Sequence, residues 1–516
     1  MQLIEHFDRG ARINPDRPVF IYEGEETSYR AARDQNLRIA NALRLHGVAA
    51  GAKCAVLSDN SPLAFNTVLG IIRAGCIWVP VNAKNAVKAH CDFLGLIECD
   101  VLFFAKAYED LLERITAAVP SLKTLVCLDG DSAYGSGFPA WLGDAPAEPV
   151  ALAEDDLAPV VLAGTGGTTG LPKGVLISNR TLDCFIANML ATLSFDRNSV
   201  YLAAAPMTHA AGAYAFPVFA QGGTILLHNG VNPQLFISDI AKYRVTETFL
   251  PPTATLAILA QPNAREADFS SLRHYISTGA PIAPDRVSEA IEVFGPCWTQ
   301  LYGQTEALAI MTVLQPHESV DAGGRPIPER IDTVGRAAPF VRLAIMDGEG
   351  NLLPSGTRGE IVCQSNLVML GYYENPEATA EVSGHGWHHT GDVGTIDEDG
   401  FLRILDRTKD MIITGGMNVF PSEIENWLSQ HPAVHEVAVI GVPDDKWGEA
   451  VKAIVQLKAG AAATTDELIA WCKAELGSVK APKSIDYVTS FPKSAVGKLL
   501  KRDLREKYWQ DAGRKV

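Results

Sequence analysis

Positive charge is what this chain is short of. Its 516 residues hold 44 lysines and arginines against 60 aspartates and glutamates, a formal net charge of −16. Gripping a phosphate backbone takes a basic face, so no nucleic-acid partner is expected. Long apolar runs are missing as well. No stretch approaches the ~18 residues of a transmembrane segment. The nine cysteines are scattered, odd in number, and show neither C-x-x-C nor zinc-ligand spacing. That argues against a disulfide framework and for a reducing compartment. The opening residues, MQLIEHFDRGARINPDRP, carry acids early and no apolar stretch, unlike a secretory signal. The closing AGRKV matches neither a prenylation box nor a peroxisomal S-K-L. The expected location is cytoplasmic.

What is present suits a large soluble globular protein: 47% hydrophobic and 20% charged residues. At roughly 150 residues per domain, the length allows two to four domains. Short apolar runs alternate with helical periods. CAVLSDN (54–60) reads as a strand, PLAFNTVLGIIRAG (62–75) as an amphipathic helix, and IWVPVN as the next strand. VLFFA, LKTLVCL, APVVLAG, TILLH and ETFLPP continue the series. Such alternation implies βαβ units and largely parallel sheets. After about residue 330 the pattern becomes strands joined by Gly-rich turns. Beyond about residue 406, two strands, VAVIGVPDD and VKAIVQLK, accompany a capped helix, TDELIAWCKAEL. Ser422 and Glu425 have capping-box spacing and predict a helix start after Pro421. The expected fold is α/β. A large N-terminal domain (1–406) of parallel and mixed sheets with helices carries a β-barrel-like subdomain at about 330–406. A small, mobile α+β domain (407–516) follows.

The stretch GTGGTTGLPKG (164–174) is the densest cluster of glycine and threonine. It is neither a Walker A loop, because Leu171 and Pro172 separate Gly170 from Lys173, nor a dinucleotide fingerprint, because Thr169 stands where the third glycine belongs. It joins the strand APVVLAG to a second strand, VLIS, after which Ser178 or Asn179 caps a helix. Two readings stand at this point. Glycines let successive amides converge on an anion beside the hydroxyls of Thr165, Thr168 and Thr169 and the charge of Lys173. Alternatively, the stretch is a plain hairpin loop.

Further polar clusters follow in order: STGAPI (277–282), LYGQTEA (301–307), GWHHTGD (386–392), DRTKDMIITGG (406–416) and PKSAVGK (492–498). Together with the glycine-rich loop, from about residue 20 to about 505, this set closely resembles the ANL superfamily of adenylate-forming enzymes. The resemblance implies two half-reactions. A carboxylate attacks the α-phosphate of ATP to give acyl-AMP and pyrophosphate, and a thiol then displaces AMP. The implied fold has a small C-terminal domain that swings between two poses about a hinge at Lys409. By the same resemblance Thr165, Gly166, Gly167, Thr168, Thr169 and Lys173 hold the β- and γ-phosphates, and Tyr302 stacks on adenine. Thr305 bonds the α-phosphate and Glu306 lies near Mg²⁺. Asp392 and Arg407 bind the ribose, and Lys498 is the adenylation lysine. Gly415, Gly416 and Trp447 face a pantetheine channel, which implies coenzyme A as co-substrate.

The same resemblance puts His209, in PMTHAAG, at the gate of the carboxylate site. Gly279 and Ala280 line the nucleotide and acyl pockets, and Ala211 and Leu301 line the acyl pocket. Ala211 is small where several plant phenylpropanoid ligases carry tyrosine, and Leu301 is bulky where they often carry glycine, which counts against a 4-coumarate ligase. No charged residue is required in the pocket, so a hydrophobic monocarboxylic acid is expected; fatty, aryl and alicyclic acids all stay open. HGWHHTGD reads as a loop rather than a metal site because of its glycines. The expected activity is an AMP-forming acid:CoA ligase. Rivals are an enzyme that loads a carrier protein and a nucleotide-binding protein that keeps the fold without turnover. With no carrier domain after Val516, free coenzyme A is the expected thiol. A homodimer is left open.

Overall fold

A computed structural model describes residues 1–165, 172–415, 417–444, 446–493 and 499–509. The chain divides into two compact units, Met1–Leu343 with Cys363–His388 and Ala344–Val362 with His389–Val516.

The first unit is built from two large sheets. One has nine strands in the order Arg336–Ala337, Thr312–Leu314, Trp298–Tyr302, His274–Ser277, Glu247–Leu250, Val200–Ala203, Thr224–Leu227, Pro18–Tyr22 and Glu25–Ser28. Its middle pairs are parallel, as βα alternation requires, and its ends are closed by antiparallel pairs. The other has eight strands, in the order Gly371–Tyr372, Lys173–Ser178, Pro159–Thr165, Ile77–Val79, Lys53–Leu57, Val101–Phe104, Thr124–Cys127 and Ser136–Gly137. Helices start where the sequence offers caps. Ser61 Oγ accepts the Ala64 amide at 3.1 Å and begins Pro62–Arg73; Ser178 Oγ accepts the Thr181 amide at 3.1 Å and begins Asn179–Thr192.

The largest core cluster joins the inner faces of both sheets through helices. Val56, Phe103 and Val161 come from one sheet and Phe20, Ala203 and Ile276 from the other, with Phe65, Phe216 and Phe219 on helices. Separate clusters cover the outer faces: Phe236, Ile240 and Phe294 on the nine-stranded sheet, Leu94, Ile97 and Ile115 on the eight-stranded one. The loops that follow these strands therefore leave elements anchored on both faces.

The second unit contains a four-stranded sheet, Arg342–Met346, Gly359–Gln364, His388–Ile396 and Leu402–Arg407 in that order. A five-stranded sheet runs Met417–Val419, Ile412–Thr414, Gly448–Leu457, Val434–Asp444, with Ser484–Tyr487 paired to Gly448–Leu457. Helices Pro421–Ser429 and Thr465–Lys480 share a core with that sheet through Ile424, Leu428, Leu468 and Cys472.

One sequence expectation fails here. The helix does begin at Pro421, but Ser422 and Glu425 form no capping box. Ser422 Oγ donates to the Leu405 carbonyl instead. Glu425 Oε1 accepts the Val439 amide at 2.6 Å and pairs with Lys501 Nζ at 2.7 Å. Tertiary partners take both side chains away from the helix end. All nine cysteines are free thiols. Among the described residues no helix is long and apolar enough to cross a membrane.

Candidate functional site

The strands on either side of the glycine-rich stretch, Pro159–Thr165 and Lys173–Ser178, pair antiparallel. Thr165 and Lys173 face each other as the last cross-strand pair, after Gly164 with Gly174 and Ala163 with Val175. Gly166, Gly167, Thr168 and Thr169 lie outside the described residues, as do Gly416 and Lys498. Lys173 Nζ sits 4.6 Å from the centre of the Tyr372 ring, a cation over an aromatic face. The Tyr372 hydroxyl donates to Glu306 Oε1 at 2.8 Å. Burial, and then the neighbouring Glu306 carboxylate, raise the phenol pKa, so Tyr372 stays a donor. The structure thus links two residues read from distant motifs through a third that the sequence reading missed.

A short segment explains the link. The Leu308 amide reaches the Leu367 carbonyl at 3.2 Å, and the Met369 amide reaches the Glu306 carbonyl at 2.8 Å. Directly after it, the Leu370 amide bonds the Leu176 carbonyl at 2.9 Å, and the Tyr373 amide bonds the Gly174 carbonyl at 2.7 Å. Residues 367–373 therefore stitch the YGQTEA loop to the strand that carries Lys173. Nothing local in LGYYENP signals this; the partners are far away in sequence.

Tyr302 ends the strand Trp298–Tyr302 and is nearly buried; Thr305 and Glu306 follow in a half-buried loop. The second carboxylate oxygen of Glu306, Oε2, has no hydrogen-bond partner among the described residues. One free carboxylate oxygen fits Mg²⁺ as used with nucleotides, which takes few protein ligands and keeps waters and phosphate oxygens. Gly279 lies at the exposed turn after His274–Ser277 with φ +89°, a conformation that favours glycine. Ala280 beside it is half-buried.

His209 is held by a stapled loop. The buried Asn60 side chain donates to the Ala205 carbonyl at 2.9 Å and the His228 carbonyl at 3.0 Å, and accepts the Met207 amide at 2.7 Å. Thr208 Oγ1 donates to the Val81 carbonyl at 3.1 Å. Gly212 is required just beyond: a Cβ there would lie 2.2 Å from the Met207 carbonyl oxygen. Burial lowers the His209 pKa, so a neutral imidazole stands at this position near pH 7. Ala211 and Leu301 are both buried in the central core cluster with Tyr214 and Phe249, whose rings stack at 4.7 Å. Asn60 and Thr208 escaped the sequence reading, although an asparagine between a strand and a capped helix is a fair signal of a loop tie.

In the second unit Asp392 and Arg407 are cross-strand partners, and Arg407 Nε lies 3.2 Å from Asp392 Oδ1. Asp392 is buried while Arg407 is exposed. Lys409 follows on an exposed turn. Arg505 fastens that turn, donating from Nη1 to the Lys409 carbonyl at 3.0 Å and pairing with Asp410. Gly415 and Trp447 also meet. The Gly415 amide bonds the Trp447 carbonyl at 2.9 Å, and a Cβ on Gly415 would lie 2.7 Å from the indole. In HGWHHTGD, His389 Nδ1 is 2.8 Å from Glu360 Oε2, a pairing within the unit.

Comparison with known proteins identifies the family. The family model for AMP-binding enzymes matches residues 7–373, and that for the AMP-binding enzyme C-terminal domain matches residues 423–498. A feruloyl-CoA synthase from Amycolatopsis sp is 35% identical over 502 residues, covering 97% of this chain and 98% of that protein. The fatty acid–[acyl-carrier-protein] ligase ScoC of Streptomyces coeruleorubidus is 32% identical over 98% of this chain and 96% of its own. The solved structure of the amide bond synthetase McbA from Marinactinospora thermotolerans superposes with a TM-score of 0.88 at 30% identity, covering 98% of this chain and 100% of that one. With both family domains present in order and the fold matched end to end, the chain belongs to the AMP-binding enzymes, the ANL superfamily of adenylate-forming enzymes.

Proposed function

We propose that this enzyme activates a hydrophobic monocarboxylic acid with ATP to an acyl-adenylate and passes the acyl group to coenzyme A. The observation that carries this reading is the group formed by Lys173, Tyr372 and Glu306 beside the strand that follows the glycine-rich stretch. It sets a cation and a carboxylate beside a loop rich in amide and hydroxyl donors. Attack of one anion on another needs such a field, because catalysis lies in holding the charges that develop on the phosphates.

In this reading Thr165, Lys173 and the loop between them hold the leaving pyrophosphate. Thr305 bonds the α-phosphate, Tyr302 stacks on the adenine, and Gly279 and Ala280 line the base and the acyl chain. Glu306 holds Mg²⁺, which supplies charge neutralisation when bound. Asp392 and Arg407 take the ribose, and Lys498 contacts the reacting oxygens. His209, neutral, admits the carboxylate without an ion pair that would restrain it. Ala211 and Leu301, buried among aromatic and aliphatic side chains, support an apolar acid. Domain 407–516 turns at Lys409 between the half-reactions, and Gly415, Gly416 and Trp447 flank the thiol path.

A second thiol has specific support. A relative that spans nearly the whole chain bears the name of an acyl-carrier-protein ligase, so a carrier-bound pantetheine is the alternative acceptor. The test is pyrophosphate release and thioester formation across fatty, aryl and alicyclic acids, offered with coenzyme A or with a carrier protein. A preferred acid that consumes coenzyme A supports the proposal. Turnover only with the carrier overturns its second half. Lys498→Ala should abolish pyrophosphate release while ATP still binds; undiminished release would remove Lys498 from the chemistry.

A further inference from the structure

Lys173 and Glu306 pose an electrostatic problem. A lysine and a glutamate at the same small site would normally close on each other, and an ion pair so formed offers a ligand little net charge. No such pair exists among the described residues. The Tyr372 side chain stands between them. Its hydroxyl satisfies Glu306 Oε1 at 2.8 Å, and its ring face holds the Lys173 ammonium at 4.6 Å. The ring is buried and its backbone is tied on both sides. Tyr372 is 8% exposed, its amide is bonded to Thr379 Oγ1 at 2.9 Å, and its strand pairs with that of Lys173 in the register Tyr372 to Val175.

We propose that Tyr372 is a positioning residue that keeps Lys173 and Glu306 apart, each turned toward ligand, by giving its hydroxyl to one and its ring face to the other. The aromatic perch is weaker than contact with a phosphate, so the ammonium leaves it readily. The hydroxyl fixes one carboxylate oxygen and so aims the other. This rests on the nucleotide site proposed above.

The test uses the full chain and three variants. Tyr372→Phe keeps the ring and drops the hydroxyl. It should bind ATP in calorimetry without metal within about twofold of the parent, yet need about tenfold more Mg²⁺ for half-maximal pyrophosphate release. Tyr372→Leu removes the spacer and should bind ATP about tenfold more weakly, as Lys173 turns to Glu306. Adding Glu306→Gln to Tyr372→Leu should restore that binding, a rescue that a merely structural defect would not show. An arm without nucleotide separates this idea from the site assignment. A crystal structure of Tyr372→Leu should have the Lys173 ammonium within ion-pair distance of Glu306. An unchanged separation, an unaltered Mg²⁺ requirement in Tyr372→Phe, or no rescue would each overturn the proposal. A parent chain that failed to bind ATP would instead overturn the nucleotide site.

Discussion

At the scale of single residues, the structure turns on side chains that have one position and no slack. Gly212→Ala should be disproportionately harmful, because the new methyl meets a backbone oxygen, Met207, at 2.2 Å and the Phe65 ring at 2.8 Å. Relief requires moving the loop that carries His209. We expect a loss of about 1–3 kcal/mol in stability and a raised KM for the acid with little change for ATP, read from thermal melts and steady-state kinetics. Glu247 gives a second test. It is fully buried, and burial lifts its pKa to about 7 even though Arg273 lies 2.7 Å away. A carboxyl whose folded pKa is raised adds stability below its unfolded value, near 4.5, and loses it as pH rises through about 7. The contribution is on the order of 3 kcal/mol. Glu247→Gln should flatten the fall in stability between those pH values, which urea melts at several pH values will measure. Asp392 and Arg407 were legible from their motifs, and they do meet. Tyr372 was not, since its worth comes from Glu306, 66 residues away in sequence, and from a lysine on a neighbouring strand that is remote in sequence.

At the scale of elements, local signals were read well where solvent leaves them alone. The helix Thr465–Lys480 has its expected cap: Thr464 Oγ1 accepts the Glu467 amide at 3.2 Å, and Glu467 Oε2 accepts back from the Thr464 amide at 3.4 Å. Ser422 and Glu425 share the same spacing, yet make no box. The difference is environment. The Thr464 pair is exposed, whereas Glu425 lies among Val439, Lys501 and Asp406, where burial raises its pKa against the pull of Lys501. Sequence spacing specifies a cap only when no tertiary partner competes. The loop at 203–209 shows the converse, a feature without local signal that is nevertheless tightly fixed. Asn60→Ala would strand the Ala205 carbonyl and the Met207 amide, and leave the His228 carbonyl with only the Gly230 amide, at a cost of about 2–4 kcal/mol. Amide exchange should accelerate at Met207, where the bond to Asn60 is lost, and the KM for the acid should rise.

At the scale of the whole molecule, the strand–helix alternation foretold the α/β architecture, because a parallel sheet demands crossovers and both faces must be covered. The division of the chain is harder to read from sequence, because segments 344–362 and 389–516 come together across an intervening stretch. Residues 412–504 nevertheless contain two hydrophobic clusters of their own, one including Ile412 and Ile485 and the other Ala438 and Leu504. We therefore expect a fragment of residues 407–516 to fold alone with a cooperative thermal transition by circular dichroism. A fragment that melts only when extended to begin at residue 389 would move the functional boundary to the start of the four-stranded sheet.

The pairing of Asp392 with Arg407 carries a consequence for discrimination among solutes. A solitary guanidinium is a general trap for phosphate, sulfate and every free nucleotide tail. Paired with a buried carboxylate, it presents less net charge to them. What such a pair can still greet is a neutral vicinal diol, whose hydroxyls donate to the acid and accept from the base at once. In the proposed ribose role, the pair would select a sugar rather than a charge.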